Sequence, residues 1–243
     1  MKKKLVNKLK IGLFGGSGKM GQEVEKALRD FHHEPYLFVG KKTSSFFAIS
    51  VEDLMNIESD VLNEVDVWID FSSAEGLFNL LKRLNKKVAV VSGSTGFTKA
   101  QLLQLKKQSV LRPLFWASNM SVGLWSFRQA LKSFAAIADF DFAIEEIHHN
   151  QKKDSPSGTA ITLQTDLENI VGKKIIKPVA HRLGGVFGIH SVIAASSNEI
   201  LTFQHQALNR KVFATGAIQA AEWLSQQKNG LYSMDNMLFK KGI

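Results

Sequence analysis

The 243-residue chain has no cysteine, which removes disulfides, thiolate metal ligands and cysteine nucleophiles together. Long apolar runs are missing too: no stretch approaches the ~20 residues that a membrane span requires. The opening "MKKKLVNKLK" is basic, but no apolar core or small-residue cleavage site follows, so no secretory signal is expected. There is no internal repeat and no low-complexity segment. Acid is absent from one end only. Five of the 31 basic residues are lysines in the first ten positions, and the remaining 26 face 22 acidic residues. The formal charge of +9 thus comes largely from a short charged extension. Neither nucleic acid nor membrane is an expected partner, and the cytoplasm is the simplest location. The small residual excess of positive charge suits an anionic small molecule or a phosphate-bearing cofactor.

What is present is an ordinary 44% of apolar residues, enough for one large domain or two modest ones. "KIGLFGGSGKMGQEVEKALRD" reads as strand, glycine turn and helix, with Met20, Val24, Ala27 and Leu28 at helical spacing. "PYLFVG", "VDVWIDF", "KVAVVSG" and "PLFWAS" are short apolar strands, and "AEGLFNLLKRLN" and "KAQLLQLKKQ" are helices. Such alternation predicts a mainly parallel sheet with helices on both faces. After Asn119 the texture changes. "SVGLWSFRQALKSFAAIADF" reads as one long helix, and "DFDFAIEEIHH" then alternates, with Phe140, Phe142 and Ile144 on one face. A helix over 158–171 and two more alternating runs, "IHSVIAASS" and "EILTFQHQ", complete a mixed α+β unit whose sheet has one covered face. A last helix is expected from about Val212 to Gln227.

"GGSGKMG" places Gly15, Gly18 and Gly21 between a strand and a helix, with Gly16 adding freedom. Such a turn lets the backbone approach a pyrophosphate, and the helix N-terminus offers free N–H groups and the positive end of its dipole. A purely structural turn is the alternative reading. A carboxylate at the end of the second strand would hold the adenosine ribose hydroxyls. Here that strand ends in Gly40, Lys41 and Lys42. Two cations suit a ribose 2′-phosphate, hence NADPH, although a solvated basic turn has the same composition. "GSTGF" (93–97) and "ASNMSVG" (117–123) also fall at carboxyl ends of parallel strands, where ligands of open α/β sheets bind.

"EEIHHNQKKDSPSGTA" (145–160) carries two histidines, two lysines and an aspartate ahead of a helix start. Three readings compete: a solvated loop, a metal site, and acid chemistry on an anionic substrate. Adjacent histidines on an extended chain point to opposite faces, so no metal site is expected. Histidine titrates near neutral pH, Ser157 fits an N-cap, and the following N–H groups would face outward. Helix N-terminus, lysine and histidine together make a carboxylate receptor beside a proton donor.

With these motifs, and with "DVWIDFSSAEG", "HRLGGVFGIHSV" and "FATGAIQAAEWL" in the same order, the chain resembles the 4-hydroxy-tetrahydrodipicolinate reductase (dihydrodipicolinate reductase) family. The family pattern E-x-H-H-x-x-K-x-D-x-P-S-G-T-A is met at every fixed position. The resemblance implies a Rossmann-type α/β domain, residues 1–119 with 218–243, that binds NADPH or NADH. It implies a smaller α+β domain, 120–217, with an open mixed sheet that binds substrate and builds a homotetramer. It gives His148 the part of proton donor and acceptor, Lys152 that of proton donor, His149 that of substrate ligand, and Gly158 with Thr159 that of carboxylate holders. Gly15, Gly16, Ser17, Gly18, Lys19 and Met20, then Gly93, Ser94 and Thr95, then Ala117, Ser118, Asn119 and Met120 match its cofactor-binding segments, and Lys41 is added for the 2′-phosphate. The substrate so implied is a small cyclic dicarboxylate, reduced by hydride transfer.

The sequence departs from the family pattern at Gly40, where many members carry an acid, at Ser118 and Met120, and at Ser73–Ala74, which lack a frequent proline. These departures touch cofactor contacts and not the proton donors. Two rival readings are a different two-domain oxidoreductase, such as an aspartate or homoserine dehydrogenase, and a non-catalytic nucleotide sensor. Neither has a use for the His-His-x-x-Lys segment followed by Ser-Gly-Thr.

Overall fold

Apolar and amphipathic segments alternate through the first half of the chain and fold as strands and helices in that order. A computed structural model describes residues 8–40, 48–50, 54 and 56–239. The elements run β1 (Lys10–Phe14), α1 (Lys19–Asp30), β2 (Glu34–Gly40), β3 (Ala48–Ser50), α2 (Ser59–Asn63), β4 (Val67–Asp70), α3 (Ala74–Arg83), β5 (Ala89–Ser92), α4 (Lys99–Ser109) and β6 (Pro113–Trp116). They continue with α5 (Val122–Ala130), a 3₁₀ segment (Leu131–Ile137), β7 (Asp141–His148), α6 (Gly158–Val171), β8 (Val179–Arg182), β9 (Gly188–Ala195) and β10 (Ile200–Ala207). The last three are α7 (Lys211–Leu224), β11 (Gly230–Tyr232) and α8 (Met234–Leu238). The chain divides into two units: residues up to Met120 with those from Phe213 onward, and Ser121–Val212.

The first unit is built on a seven-stranded, wholly parallel sheet in the order β11-β6-β5-β4-β1-β2-β3. The chain starts at the centre, winds out through β2 and β3, and returns to wind the other way through β4, β5 and β6. The winding reverses between β1 and β4, and the carboxyl ends flanking that switch point are where such sheets take ligands. Every residue of β4 and β5 is buried, as expected of strands covered on both faces. Trp68, Phe14, Leu77, Val90 and Leu105 share one core, and Trp68 Nε1 donates to the Leu62 carbonyl at 3.1 Å.

The second unit carries a four-stranded sheet, β10-β9-β7-β8, in which only the β7–β8 pair is parallel. Along β7, Phe142, Ile144, Glu146 and His148 are buried, while Asp141 and Glu145 are exposed. Leu124, Phe127, Leu131, Phe134, Leu163 and Leu167 pack with Phe142, Ile144, Val192 and Ala194. The opposite face carries exposed Val179 and Ile200 beside Glu145 and Asp141. Among the described residues, no helix is long and apolar enough to cross a membrane.

Two expectations need correction. The long helix expected from Ser121 to Phe140 is an α-helix only to Ala130 and tightens into a 3₁₀ segment beyond it. There the Ser133 hydroxyl donates to the Ala130 carbonyl, three residues back, at 2.8 Å. Such local side-chain bonds compete with the α-helical pattern. The last helix spans Lys211–Leu224 instead of reaching Gln227.

Gly216 lies inside α7, where alanine is normally worth ~1 kcal/mol more than glycine. A Cβ there would come to 1.8 Å from the Met120 carbonyl oxygen, a backbone atom that cannot swing aside. The clash outweighs the propensity. Gly216→Ala is therefore expected to lower the unfolding free energy by about 1–3 kcal/mol, measured by urea denaturation.

Candidate active site

At the switch point of the first unit, Gly15 takes a left-handed φ of +82°. A Cβ at Gly21 would come to 2.4 Å from the Gly15 carbonyl oxygen, so α1 can start this close to β1 only with glycine there. The N–H groups of Gly15 and Gly16 both donate to the Val39 carbonyl at 2.9 Å, and that of Gly18 bonds to Gly15 O. These three donors hold the turn. The first helical bond of α1 is Gln22 N–H to Gly18 O, and no side chain caps the helix start. The N–H groups of Lys19 and Met20 precede that bond and so have no acceptor within the helix. The arrangement fits a bound pyrophosphate.

Gly40 ends β2 directly against this turn: a Cβ would lie 2.6 Å from Ser17 Oγ and 2.8 Å from Ser17 N. A ribose-binding carboxylate therefore has no room at position 40 while the turn keeps its shape. Lys41 and Lys42 lie outside the described residues.

The other two loops of this unit are tied down from beneath by Asp70, which the sequence reading did not single out. Its carboxylate is fully buried and accepts from Ser72 N (3.0 Å), Ser72 Oγ (2.5 Å), Ser92 Oγ (2.7 Å) and Ser94 Oγ (2.8 Å). Burial pushes the Asp70 carboxyl above its ordinary value, and the serine hydrogen bonds act against it. Ser94 is buried, with its hydroxyl on Asp70 and its carbonyl accepting from Trp116 Nε1, whereas Thr95 is exposed. Gly93 N–H donates to Asp70 O, and Ala117 N–H to Ser92 O. Ser118 is exposed, Asn119 is half-buried, and Met120 is buried with its carbonyl against Gly216. The signal for Asp70 was an acid at the end of an otherwise apolar strand, followed by serines.

In the second unit the two-residue period of β7 puts Glu146 and His148 on the same buried face. Glu146 Oε2 meets His148 Nδ1 in a very short contact, and Oε1 accepts from Ser157 N (3.0 Å) and Arg182 Nη2 (2.9 Å). The Arg182 guanidinium also reaches the carbonyls of Asp154 (2.6 Å) and Lys152 (3.4 Å). Lys152 Nζ pairs with Asp154 at 2.8 Å. His149 follows the strand, half-buried, and its Nδ1 has no hydrogen-bond partner among the described residues. Ser157 caps α6 by accepting Ala160 N–H at 3.2 Å, and its hydroxyl also meets His190 Nε2 at 3.2 Å. Gly158 is exposed and Thr159 half-buried in the first turn of α6. Of the residues expected in this segment, the structure gathers His148, Lys152 and the start of α6 around Glu146 and Arg182. His190 is added to them, its ring centroid 5.0 Å from that of His148.

Burial is the largest influence on these groups. It lowers the His148 pKa, with Lys152 and Arg182 pushing the same way and Glu146 opposing. Burial would raise Glu146, but the bonds from Arg182 and His148 outweigh it and hold the carboxylate below its ordinary range. Burial likewise would raise Asp154, yet Lys152 and the N–H of Gly158 lower it. Donor atoms of Glu146, His148 and His190 lie within 4.8 Å of one another, a convergence that the sequence reading did not foresee. Both Glu146 oxygens are already engaged by donors, and a guanidinium sits beside them.

Two family descriptions cover this chain almost end to end. "Dihydrodipicolinate reductase, N-terminus" matches residues 9–120 and "Dihydrodipicolinate reductase, C-terminus" matches residues 123–238. The chain belongs to the dihydrodipicolinate reductase family. Among its relatives in that family, the 4-hydroxy-tetrahydrodipicolinate reductase of Bdellovibrio bacteriovorus is 47% identical over 237 residues, covering 97% of this chain and 99% of the relative. That of Campylobacter lari is 35% identical over 252 residues, covering 95% and 99%. Among solved structures, dipicolinate-bound dihydrodipicolinate reductase from Paenisporosarcina sp. TG-14 superposes with a TM-score of 0.75 at 20% identity, covering 96% of this chain and 100% of that one. Aspartate semialdehyde dehydrogenase II from Vibrio cholerae shares the fold at a TM-score of 0.55 and 12% identity, covering 91% and 99%.

The shift at His190 has a consequence for stability. Burial lowers its pKa to about 3, with the nearby His148 adding to the shift. The unfolded chain takes up a proton at this histidine near pH 6.5, and the folded chain does not until about pH 3. The stability contribution is complete above pH 6.5 and falls as the pH drops toward 3. Urea denaturation is expected to show the protein losing about 2 kcal/mol between pH 6.5 and 5 that His190→Asn does not lose.

Proposed function

We propose that this protein catalyses the NAD(P)H-dependent reduction of 4-hydroxy-tetrahydrodipicolinate to tetrahydrodipicolinate, in diaminopimelate and lysine biosynthesis. The observation that carries the reading is the buried Glu146–His148 pair, tied through Arg182 to the Lys152 loop and through Ser157 to the start of α6. A cyclic dicarboxylate needs anion contacts and a proton source in one place, and this cluster offers both. The family resemblance gives His148 and Lys152 the proton-donor parts and Gly158 with Thr159 the carboxylate contacts.

The unit built on the seven-stranded sheet takes the dinucleotide. The glycine turn 15–18 and the uncapped start of α1, with Lys19 and Met20, receive the pyrophosphate. The loops 93–95 and 117–120 approach the nicotinamide. When bound, the nicotinamide supplies a hydride from its C4. NADPH is the preferred form: position 40 has no room for a ribose-binding acid, and Lys41 follows it in sequence.

The second unit holds the substrate. The N–H groups of Gly158 and Thr159 donate to one carboxylate, and His149, whose Nδ1 has no partner among the described residues, contacts the ring substituents. His148 is held neutral by burial in the free protein. A dianion arriving beside it reverses that balance, because nearby negative charge favours the imidazolium. His148 and Lys152 then supply the proton that accompanies hydride arrival, and the hydroxyl leaves as water. The same unit presents the uncovered sheet face with Val179 and Ile200, through which we assign a homotetramer. The enzyme acts in the cytoplasm and needs no metal.

The direct test follows NADPH oxidation on addition of freshly generated 4-hydroxy-tetrahydrodipicolinate; the absence of substrate-dependent oxidation would reject the activity. Lys152→Ala is expected to lower turnover at least about a hundredfold with cofactor affinity nearly unchanged. A mild kinetic effect would remove Lys152 from the proton path. By calorimetry NADPH is expected to bind more tightly than NADH by about 1–2 kcal/mol. Equal affinities would overturn the preference.

A further inference from the structure

We propose that Glu146 is the positioning residue of this site: its carboxylate fixes His148 as the Nδ1–H tautomer, and through Arg182 and the Ser157 N–H it places Lys152 and the carboxylate-binding helix start. The proposal rests on the reading of His148 as a proton donor, and it adds a residue that never touches the substrate.

An ionised carboxylate only accepts hydrogen bonds. Glu146 has three donors around it: His148 Nδ1 on Oε2, and Ser157 N and Arg182 Nη2 on Oε1. The hydrogen in the Glu146–His148 contact therefore sits on Nδ1, which leaves Nε2 as the nitrogen that exchanges a proton with substrate. A Cβ at Gly188 would come to 3.0 Å from that nitrogen, so glycine there keeps its surroundings open. The second oxygen does different work. It holds the N–H of the α6 N-cap and the guanidinium, which also donates to the carbonyls of Lys152, Asp154 and its neighbour His181. One carboxylate thus sets the orientation of the imidazole, the path of the lysine loop and the entry of the helix.

The charged and titratable groups around His148 come from four sides: Glu146 from its own strand, Arg182 from β8, His190 from β9, and Lys152 from the loop that follows. His190 does not compete for the same proton. The Ser157 hydroxyl accepts Ala160 N–H and meets His190 Nε2 at 3.2 Å, and burial keeps His190 neutral. Glu146 is the partner whose charge stabilises a protonated His148.

Glu146→Gln makes a sharp test, because glutamine matches the shape but not the acceptor set. Its single carbonyl oxygen is claimed by Ser157 N–H and Arg182, so its NH₂ must face His148 Nδ1 and force the hydrogen onto Nε2. We expect turnover at neutral pH to fall at least about tenfold, with the cofactor KM within about twofold. The pH above which turnover declines should move down by about one unit, since a tenfold change in the protonation equilibrium is one pKa unit. Glu146→Asp keeps the charge and is expected to retain more turnover and the original pH profile. A merely structural role predicts the reverse order, glutamine being the closer isostere. An unchanged pH profile in Glu146→Gln, or better turnover in Glu146→Gln than in Glu146→Asp, would overturn the proposal.

A second measurement uses the unaltered protein and does not depend on a variant folding. Imidazole ¹⁵N shifts of His148 at neutral pH should report hydrogen on Nδ1; hydrogen on Nε2 would overturn the proposal even if the catalytic reading stands. Conversely, full turnover in His148→Ala would remove His148 from the chemistry while leaving the tautomer result to decide the part of Glu146.

Discussion

A buried carboxylate surrounded by three donors is the constraint from which the second unit takes its shape. Glu146 is wholly out of water, and a lone charge there would be costly to bury. It is sustained because Ser157, Arg182 and His148 each bring a hydrogen to it. Each of those donors belongs to a different part of the chain: a helix cap, a short edge strand and the end of β7. Removing the charge would leave a guanidinium, a backbone N–H and an imidazole to rearrange together. The start of α6, the Lys152 loop and the His148 ring are therefore fixed by the same few atoms.

The first unit solves a similar problem with neutral donors. Asp70 sits at the carboxyl end of β4, and three serines hold it, two of them at the end of β5 and in the loop beyond. Serine hydroxyls add no charge, so burial dominates and the carboxyl shifts upward, whereas the cation beside Glu146 drives that carboxylate downward. The contrast follows from what stands beside each carboxylate, hydroxyl dipoles at Asp70 and a guanidinium at Glu146.

Much of this was legible in the sequence, because the strongest signals were periodic or punctuated. The apolar strands β1, β4, β5 and β6 stand out as short runs bounded by turns, and the alternation of β7 groups Phe142 and Ile144 on one face, the face that is buried. The histidine–lysine segment read as an acid site because its residue types and its helix start converge. Short elements that lack an apolar run left no such mark. β3, α2, β8, β11 and α8 have three to five residues each, too few for a period to show. β8 carries the most consequence among them, because it delivers Arg182. Glu146 was overlooked for another reason: it is written as one of two adjacent glutamates, and only the strand's pleat separates the buried one from the exposed one. His190 is similarly hidden in an alternating run, its part visible only once β9 lies beside β7.

The pleat of β7 has a further consequence for how this sequence can change. Phe142, Ile144, Glu146 and His148 share one face because they are two residues apart, so the apolar core and the acid–base pair are phased by the same backbone period. A single-residue insertion or deletion between Ile144 and Glu146 would break that phase and put the phenylalanine and the carboxylate on opposite faces. Length variation in β7 is thereby confined to even steps, or to a bulge that absorbs the odd residue before Glu146. The hydrophobic core acts as a reading frame for the Glu146–His148 pair at the end of the strand.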